Sequence, residues 1–169
     1  MPGAVGLGRV IPVRQATPDD APELVRLRGV MLSSYTGDEP PPGPWQDHAE
    51  RYLRTGLAEP DGSLAAFVVE RPGASGKLAA CAVGTIEYRL AGPENPSGTA
   101  GYVFNVATDP DQRRRGYSRA CVERLVGWFA RRGVTKVDLK ASPEAEPLYA
   151  SLGFARTADP AMRLRLPRP

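Results

Sequence analysis

Residues 101–118 read GYVFNVATDPDQRRRGYS, and the rest of the chain is organised around this stretch. Its first part, residues 102–107, is mainly aromatic and β-branched, which is typical of a strand, and the Asp109–Pro110 pair disfavours continuing a ladder. From Gly116 onward apolar residues recur at helical spacing, and Gly133 is a suitable residue to end the helix. The stretch therefore predicts a strand, an arginine-rich turn and a helix.

The turn combines three consecutive arginines, Arg113 to Arg115, with the positively charged N-terminal end of the predicted helix. Unpaired backbone N–H groups in the first helical turn, and the close approach that Gly116 permits, are typical of a phosphate site. Alternatively, the three side chains extend into water, where salt screens their repulsion. Charge alone leaves both interpretations open.

Two motifs carry a resemblance to a known family. Val106–Pro110 followed by Arg113–Ser118 resembles the acetyl-coenzyme A motif of the GNAT superfamily of N-acetyltransferases, written (Gln/Arg)-x-x-Gly-x-(Gly/Ala). Ser118 departs from that motif, because the family prefers Gly or Ala there. Residues 148–154, LYASLGF, resemble the second signature of the family, a Tyr on a short helix that ends in Gly-Phe. In this order, the two signatures are more specific together than either is alone.

The resemblance implies a binding site for acetyl-coenzyme A. The pantetheine arm and the acetyl carbonyl would be held by backbone groups at the end of the strand, namely Val106, Ala107 and Thr108. The pyrophosphate would be held by the residues of the turn, namely Arg113, Arg114, Arg115, Gly116, Tyr117 and Ser118. The serine hydroxyl would add at most one hydrogen bond to a phosphate, so we expect Ser118 to be tolerated and not essential.

Tyr149 matches the tyrosine of the family that donates a proton to the leaving sulfur. This role is chemically plausible, because a phenol with an ordinary pKa of about 10 is still protonated when a thiolate leaves. The sequence alone also allows Tyr149 to be a core aromatic residue beside Leu148 and Leu152. We predict the acid role because the second signature is present.

The general base is the least specified part of the predicted site, because members of the family use different residues or water chains. Glu87, which faces away from Ile86 and Tyr88 on its predicted strand, is the first candidate, and Asn105 is a candidate for positioning a water molecule. Both residues also fit structural or solvated roles. His48 is interpreted as an ordinary surface histidine, and the sequence contains no spacing of ligand type for a metal.

Composition indicates one globular domain. The chain has 169 residues, of which 41% are hydrophobic and 24% charged, and its net charge is +3. We expect residues 1–9 to be a flexible N-terminus and residues 10–169 to form a single acetyltransferase-like domain. The arginines outside the turn are dispersed, so bulk charge gives little support to nucleic-acid binding.

Cellular location is predicted from cysteine usage and hydropathy. Cys81 and Cys121 both occupy predicted core positions, as expected for free cysteines in a reducing compartment. The N-terminus lacks the charge and apolar length of a signal peptide, and no apolar run approaches the ~18 residues of a membrane span. We therefore expect a cytoplasmic protein that does not associate with membranes.

The predicted elements give an α/β fold with a mixed, largely antiparallel central sheet and flanking helices. A strand over residues 10–15 precedes two helices, one from Thr17 to Ser34 and one from Trp45 to Leu57. Three strands then form an antiparallel meander, and a further strand is parallel to the motif strand through the motif helix. The three strands of the meander are predicted over residues 63–71, 77–90 and 102–107, and the parallel strand over residues 134–140. A short helix over residues 147–152 and a last strand over Ala161–Leu166 complete the predicted elements.

We predict that the protein transfers an acetyl group from acetyl-coenzyme A to an amine by direct attack on the thioester, without a metal. The acceptor is a small-molecule or peptide amine that the sequence does not identify, and a homodimer is left open. A second enzymatic interpretation keeps the cofactor and changes the acyl group or the acceptor atom. A third is a non-catalytic module that binds coenzyme A or another polyanion, such as RNA, through Arg113–Arg115.

Overall fold

A computed structural model describes residues 10–168. The expected flexible N-terminus, residues 1–9, lies outside the described residues. The strands are β1 (Val13–Gln15), β2 (Leu64–Glu70), β3 (Leu78–Tyr88), β4 (Thr99–Thr108) and β5 (Val137–Leu139). The helices are α1 (Ala21–Thr36), α2 (Pro44–Ala58), α3 (Tyr117–Arg131) and α4 (Glu146–Ser151).

The five strands form one sheet in the order β1-β2-β3-β4-β5. Neighbours from β1 to β4 are antiparallel, and β5 runs parallel to β4. Because α3 lies between β4 and β5 in the chain, it provides the crossover that a parallel pair requires. The predicted mixed, largely antiparallel sheet with flanking helices is confirmed.

Each face of the sheet carries its own apolar core. On one face α3 packs through side chains that include Leu125 and Phe129, and on the other α1 and α2 pack through side chains that include Leu24 and Leu27. All four of these side chains are fully buried. The sheet is therefore covered on both faces, which explains why β2 and most of β3 consist of consecutive buried residues and do not alternate.

Two glycines bring α3 close to the sheet. A Cβ atom at Gly101 would lie 3.0 Å from the ring of Phe129, and one at Gly84 would lie 2.9 Å from the same ring. Larger residues at either position would push the helix outward. The N-terminal end of α3 is thereby held near the end of β4, where the site lies.

The predicted last strand, Ala161–Leu166, is wrong. Residues 155–168 contain no strand, and Met162, Leu164 and Leu166 are 93%, 84% and 78% exposed. The alternation of apolar and basic residues gives this segment one apolar face. A strand also needs a hydrogen-bonded neighbour, and no strand of the described chain pairs with the segment. Elsewhere the predicted elements differ from the structure only at their ends, most clearly at β5, which is shorter than predicted.

Within residues 10–168, no helix combines the length and the apolar character needed to cross a bilayer.

Candidate functional site

The site lies where β4 and β5 part. Their pairing covers Gly101–Val103 on β4 and Val137–Leu139 on β5, whereas β4 continues to Thr108. Residues 104–108 of β4 therefore have no strand beside them on the β5 side, and a gap is left there. In sheets with parallel strands, ligands gather beyond the carboxyl ends of strands that diverge in this way.

A register shift marks the same point on the other edge of β4. Val83 of β3 pairs with Asn105 and Gly84 pairs with Val103, so Phe104 is an extra residue. The carbonyl oxygen of Phe104 accepts a hydrogen bond from the Arg28 guanidinium at 3.4 Å. Bulges of this kind bend a strand and change the direction of its groups, and they are frequent beside active sites.

The arginine turn has the backbone geometry of an anion site. Gly116 is the N-cap of α3 with φ of 78°, and Arg114 also has a positive φ, 64°. The first backbone bond within α3 runs from the N–H of Ala120 to the carbonyl of Gly116 at 3.0 Å. Earlier N–H groups in that turn have no acceptor within the helix, and the side chains of Arg113, Arg114 and Arg115 are exposed beside them.

A charged network anchors this turn, and sequence reasoning missed it. The buried carboxylate of Asp109 accepts hydrogen bonds from Arg26 at 2.7 and 3.1 Å and from Arg71 at 2.9 Å. Glu23 extends the network, since it also pairs with Arg26 and accepts the Leu78 N–H at 3.0 Å. These contacts hold the pKa of Glu23 below its usual value against the opposing effect of burial. The partners are far apart in the chain, so no local pattern could have revealed them.

Ser118, the departure from the family motif, has a partner within the protein. Its hydroxyl shares a hydrogen bond of 2.6 Å with the hydroxyl of Thr108. This bond joins the end of β4 to the first turn of α3. The hydroxyl, for which we expected at most one hydrogen bond to a phosphate, joins the two elements that flank the turn.

Tyr149 lies buried on α4, which follows β5 in the chain. Its ring packs edge to face against Phe154 with 5.9 Å between centroids, and both rings belong to the apolar cluster under α3. Burial raises the pKa of Tyr149 to about 12, with a further contribution from Tyr35 at the end of α1. Its phenol therefore carries its proton at neutral pH, as a proton donor must.

Asn105 is 4% exposed and lies beside Cys81, which belongs to the apolar core under α1. Its Nδ2 donates to the Sγ of Cys81 at 3.7 Å, while its buried Oδ1 has no hydrogen-bond partner among the described residues. Burial raises the pKa of the Cys81 thiol to about 12, so Cys81 stays protonated. Since buried carbonyl groups are nearly always hydrogen-bonded, this oxygen is suited to an ordered water.

Glu87 lies away from the end of β4, where the turn begins. It pairs with the Arg89 side chain at 2.7 Å and stands opposite Ala100, near the beginning of β4. Five strand residues separate Ala100 from Asn105, which is about 16 Å at the usual rise per residue. His48 is exposed on α2, and within residues 10–168 no three His, Cys, Asp or Glu side chains form a group suited to a metal.

The predicted cofactor residues lie at the end of β4 and the beginning of α3, beside the gap between β4 and β5, which is called the crevice below. Val106, Thr108 and the turn from Arg113 to Ser118 surround the end of β4, and Tyr149 follows the strand across the gap. Asn105 lies beneath the crevice, on the α1 side. Glu87 is not brought to it.

Comparison with known proteins identifies the same region. Residues 30–154 match the model of the Acetyltransferase (GNAT) family. A predicted acetyltransferase from Clostridium acetobutylicum, solved with acetyl-CoA, is 26% identical, with a TM-score of 0.78 over 91% of this chain and 95% of that one. A GCN5-related N-acetyltransferase from Ralstonia eutropha is 27% identical, with a TM-score of 0.76 over 90% and 97%.

Similarity to curated proteins is more local. The [Ribosomal protein bS18]-alanine N-acetyltransferase of Escherichia coli is 44% identical over 55 residues, which are 31% of this chain and 37% of that protein. The chain thus spans a little over a third of the length of the curated relatives it matches. The family match covers most of the chain and includes both signatures, so the chain belongs to the GNAT family of acetyltransferases.

Proposed function

We propose that this protein transfers an acetyl group from acetyl-coenzyme A to an amine. The observation that carries the proposal is the opening between β4 and β5, because the N-terminal end of α3 follows β4, and Arg119 in its first turn contacts Ser151 on α4, the helix that carries the protonated phenol of Tyr149. Family membership supports acetyl-coenzyme A as the donor.

The residues of the turn fit the cofactor. Gly116 adopts a left-handed conformation and is exposed, with Ile11 Cδ1 3.3 Å from the position that a Cβ atom would take, so an anion can approach the main chain on the side away from Ile11. The exposed guanidinium groups of Arg113, Arg114 and Arg115 add charge that favours a pyrophosphate. Asp109 and the bond between Thr108 and Ser118 hold the turn in this shape before the cofactor arrives, which lowers the cost of ordering it.

Bound acetyl-coenzyme A supplies a thioester carbonyl as the electrophile. The backbone of Val106, Ala107 and Thr108 would hold the acetyl arm in the gap, so that positioning provides most of the rate gain, roughly 7–11 kcal/mol for well-oriented reactants. The neutral amine attacks the carbonyl carbon, the carbon–sulfur bond breaks, and the Tyr149 phenol donates its proton to the departing thiolate. The proton lost by the amine goes to a base.

Water is the best-supported link to that base. The unpartnered Oδ1 of Asn105 supports a role in holding an ordered water. Glu87 remains the predicted base only through a chain of such waters, because its distance along the sheet and its pairing with Arg89 disfavour direct contact with the amine.

A peptide amine stays among the candidate acceptors because relatives act on an alanine of ribosomal protein bS18. Two buried free cysteines support a cytoplasmic location.

The test removes only the hydroxyl of Tyr149. Tyr149→Phe keeps the packing against Phe154, so acetyl-coenzyme A affinity measured by calorimetry should hardly change while turnover falls ~10²–10⁴-fold. Turnover is followed as release of free coenzyme A thiol with a panel of amines and peptides. Tyr88→Phe, at an exposed tyrosine on β3, is the matched control and should change neither quantity.

The other outcomes separate the alternatives. Turnover of the Tyr149 variant close to that of the parent protein would remove the tyrosine from the proposal. Saturable acetyl-coenzyme A binding without thiol release for any acceptor would instead favour the non-catalytic module. Binding of RNA that weakens steeply with salt, and no binding of acetyl-coenzyme A, would contradict the proposed function altogether.

A further inference from the structure

The bulge in β4 decides which way the end of that strand faces. Val103 packs in the core under α3, whereas Phe104 packs in the core under α1. Asn105 lies beside Cys81, which belongs to the core under α1, so two successive residues face the same way. Val106 packs under α3 again. The extra residue therefore breaks the alternation once, and later residues of β4 face the side opposite to the one that an unbroken strand would give them.

The residues after the bulge are the ones proposed to hold the acetyl arm, Val106 to Thr108. Their pairing with β3 continues without a further register shift. The Thr108 hydroxyl also reaches that of Ser118 at the start of α3. Because side chains alternate along a strand, loss of the bulge would turn each of these residues to the other face and would break that contact. The bulge must therefore persist for the crevice to keep its shape.

A side chain from α1 holds the bulged residue. The carbonyl oxygen of Phe104 accepts a hydrogen bond from Nη1 of Arg28 at 3.4 Å, across 76 residues of chain. Arg26, two residues earlier on α1, is paired with the carboxylates of Glu23 and Asp109. Within residues 10–168 Arg28 has no such carboxylate, and the Phe104 carbonyl is its hydrogen-bond partner. A bulge leaves peptide groups without ladder partners, so a charged donor that reaches one of them stabilises the bulge in place.

We propose that Arg28 is a positioning residue for acetyl transfer, which holds the bulge through the Phe104 carbonyl and so keeps the backbone of Val106–Thr108 directed at the crevice. Arg28 acts through the peptide group between Phe104 and Asn105 and does not touch the reacting atoms. Because that peptide group is planar, fixing its carbonyl also fixes the direction of the Asn105 N–H. This role rests on the proposed function, since it concerns the same reaction.

Cofactor affinity and turnover should respond differently to the loss of Arg28. The turn proposed to bind the pyrophosphate is held by Asp109 with Arg26 and Arg71, and Arg28 takes no part in those contacts. Arg28 instead reaches the strand segment that would carry the thioester. Since a misplacement of about 1 Å in an active site can lower a rate ~10²-fold, removing Arg28 should lower turnover and leave cofactor binding in place.

The first experiment compares Arg28→Met with Arg28→Lys. Methionine keeps an unbranched side chain and removes the donor, so turnover measured as thiol release should fall about 10- to 100-fold. The Kd of acetyl-coenzyme A, measured by calorimetry, should hardly change. Lysine can still donate a hydrogen bond to the Phe104 carbonyl and should recover most of the lost turnover. Arg51→Met, at an exposed arginine on α2, is the matched control and should behave as the parent protein does.

Three results would overturn the role of Arg28. Turnover of Arg28→Met equal to that of the parent protein would show that the reaction does not depend on this side chain. A loss of turnover that comes with an equal loss of cofactor affinity and a lower thermal midpoint would mean that Arg28 is only structural. A lysine variant no more active than the methionine variant would exclude the hydrogen bond as the cause.

The second experiment does not depend on turnover. Amide hydrogen exchange is followed by NMR in the parent protein and in Arg28→Met, both without cofactor. We expect residues 104–108 to exchange at least about tenfold faster in the variant, because the bulge opens more often, while β2 exchanges at the parent rate. Equal exchange of residues 104–108 in the two proteins would overturn the role of Arg28 even where acetyl transfer is confirmed. Faster exchange in a protein that releases no thiol with any acceptor would contradict the proposed function and still support the hold on the bulge.

Discussion

Two irregular, arginine-rich segments of this protein are held very differently. The turn from Asp109 to Ser118 is fixed by a buried carboxylate with two arginine partners and by the hydroxyl pair of Thr108 and Ser118. Among residues 155–168, one exposed ion pair, Arg156 with Glu146, holds the segment to the domain, and the chain then leaves the fold. The first segment contains a short 3₁₀ helix, Pro110–Gln112, and the beginning of α3, whereas the second contains no helix or strand from residue 155 to residue 168, and only the first is shaped by tertiary contacts.

The difference shows what an ordered loop requires. Burial of Asp109 removes water as a competing partner, so Arg26 and Arg71 must satisfy it and the loop has one favourable arrangement. Around Arg156 both partners remain accessible to water, which replaces either one at little cost. We therefore expect substitutions in the turn to change cofactor binding and those around Arg156 to change very little.

Gly116→Val should give the largest effect. The new side chain occupies the approach to the main chain and is strained at φ of 78°, so acetyl-coenzyme A affinity should fall at least about a hundredfold by calorimetry, close to 2.8 kcal/mol. Gly133→Val is the control, because Gly133 has φ of 75° at the other end of α3 with no atom near its Cβ position. It should lower stability without changing affinity. Equal affinities for Gly116→Val and the parent protein would refute the site.

Asp109→Ala should have the next largest effect. Removing the carboxylate leaves Arg26 and Arg71 without their shared partner, and we expect a loss of about 2–3 kcal/mol in the free energy of unfolding by denaturant titration. Acetyl-coenzyme A should also bind more weakly, since the turn is no longer held. Asp111→Ala, which removes an exposed partner of Arg71, should change both quantities much less. A similar loss from the two variants would mean that burial of Asp109 has no special role.

Ser118→Ala should have a smaller effect. The substitution removes one hydrogen bond to Thr108, so cofactor affinity should fall by less than about tenfold. If that bond is the whole role of Ser118, the Ser118→Ala and Thr108→Val changes should not add, and the double variant should resemble either single one. Additive losses, or a fall of a hundredfold for Ser118→Ala alone, would indicate a direct contact with the cofactor.

Arg156→Gln should have the smallest effect. It removes the exposed ion pair with Glu146, so the thermal midpoint should stay within experimental error of the parent value. A clear decrease in that midpoint would show that this part of the segment is held more firmly than the contacts indicate, and the contrast with the turn would be lost.

Much of this arrangement could be predicted from the sequence. The strand, turn and helix around Gly116, the meander, the parallel crossover and the short helix with Tyr149 all follow from patterns within single elements and from the order of those elements in the chain. Strand and helix periodicity, glycine conformation and proline restrictions act locally, so residue order is sufficient to show them. The two family signatures likewise lie within short stretches.

Only the tertiary structure decided how these pieces are held. Arg26 and Arg71 meet Asp109 from 83 and 38 residues away, and Ser118 meets Thr108 because a helix begins where a strand ends. Pairing register placed Glu87 far from the crevice and turned Asn105 toward Cys81, although the sequence made Glu87 the first candidate for the base and Asn105 a candidate for positioning water. The last predicted strand failed for the same physical reason: an alternating segment becomes a strand only when a neighbour supplies its hydrogen bonds, and residue order does not say which neighbour is available.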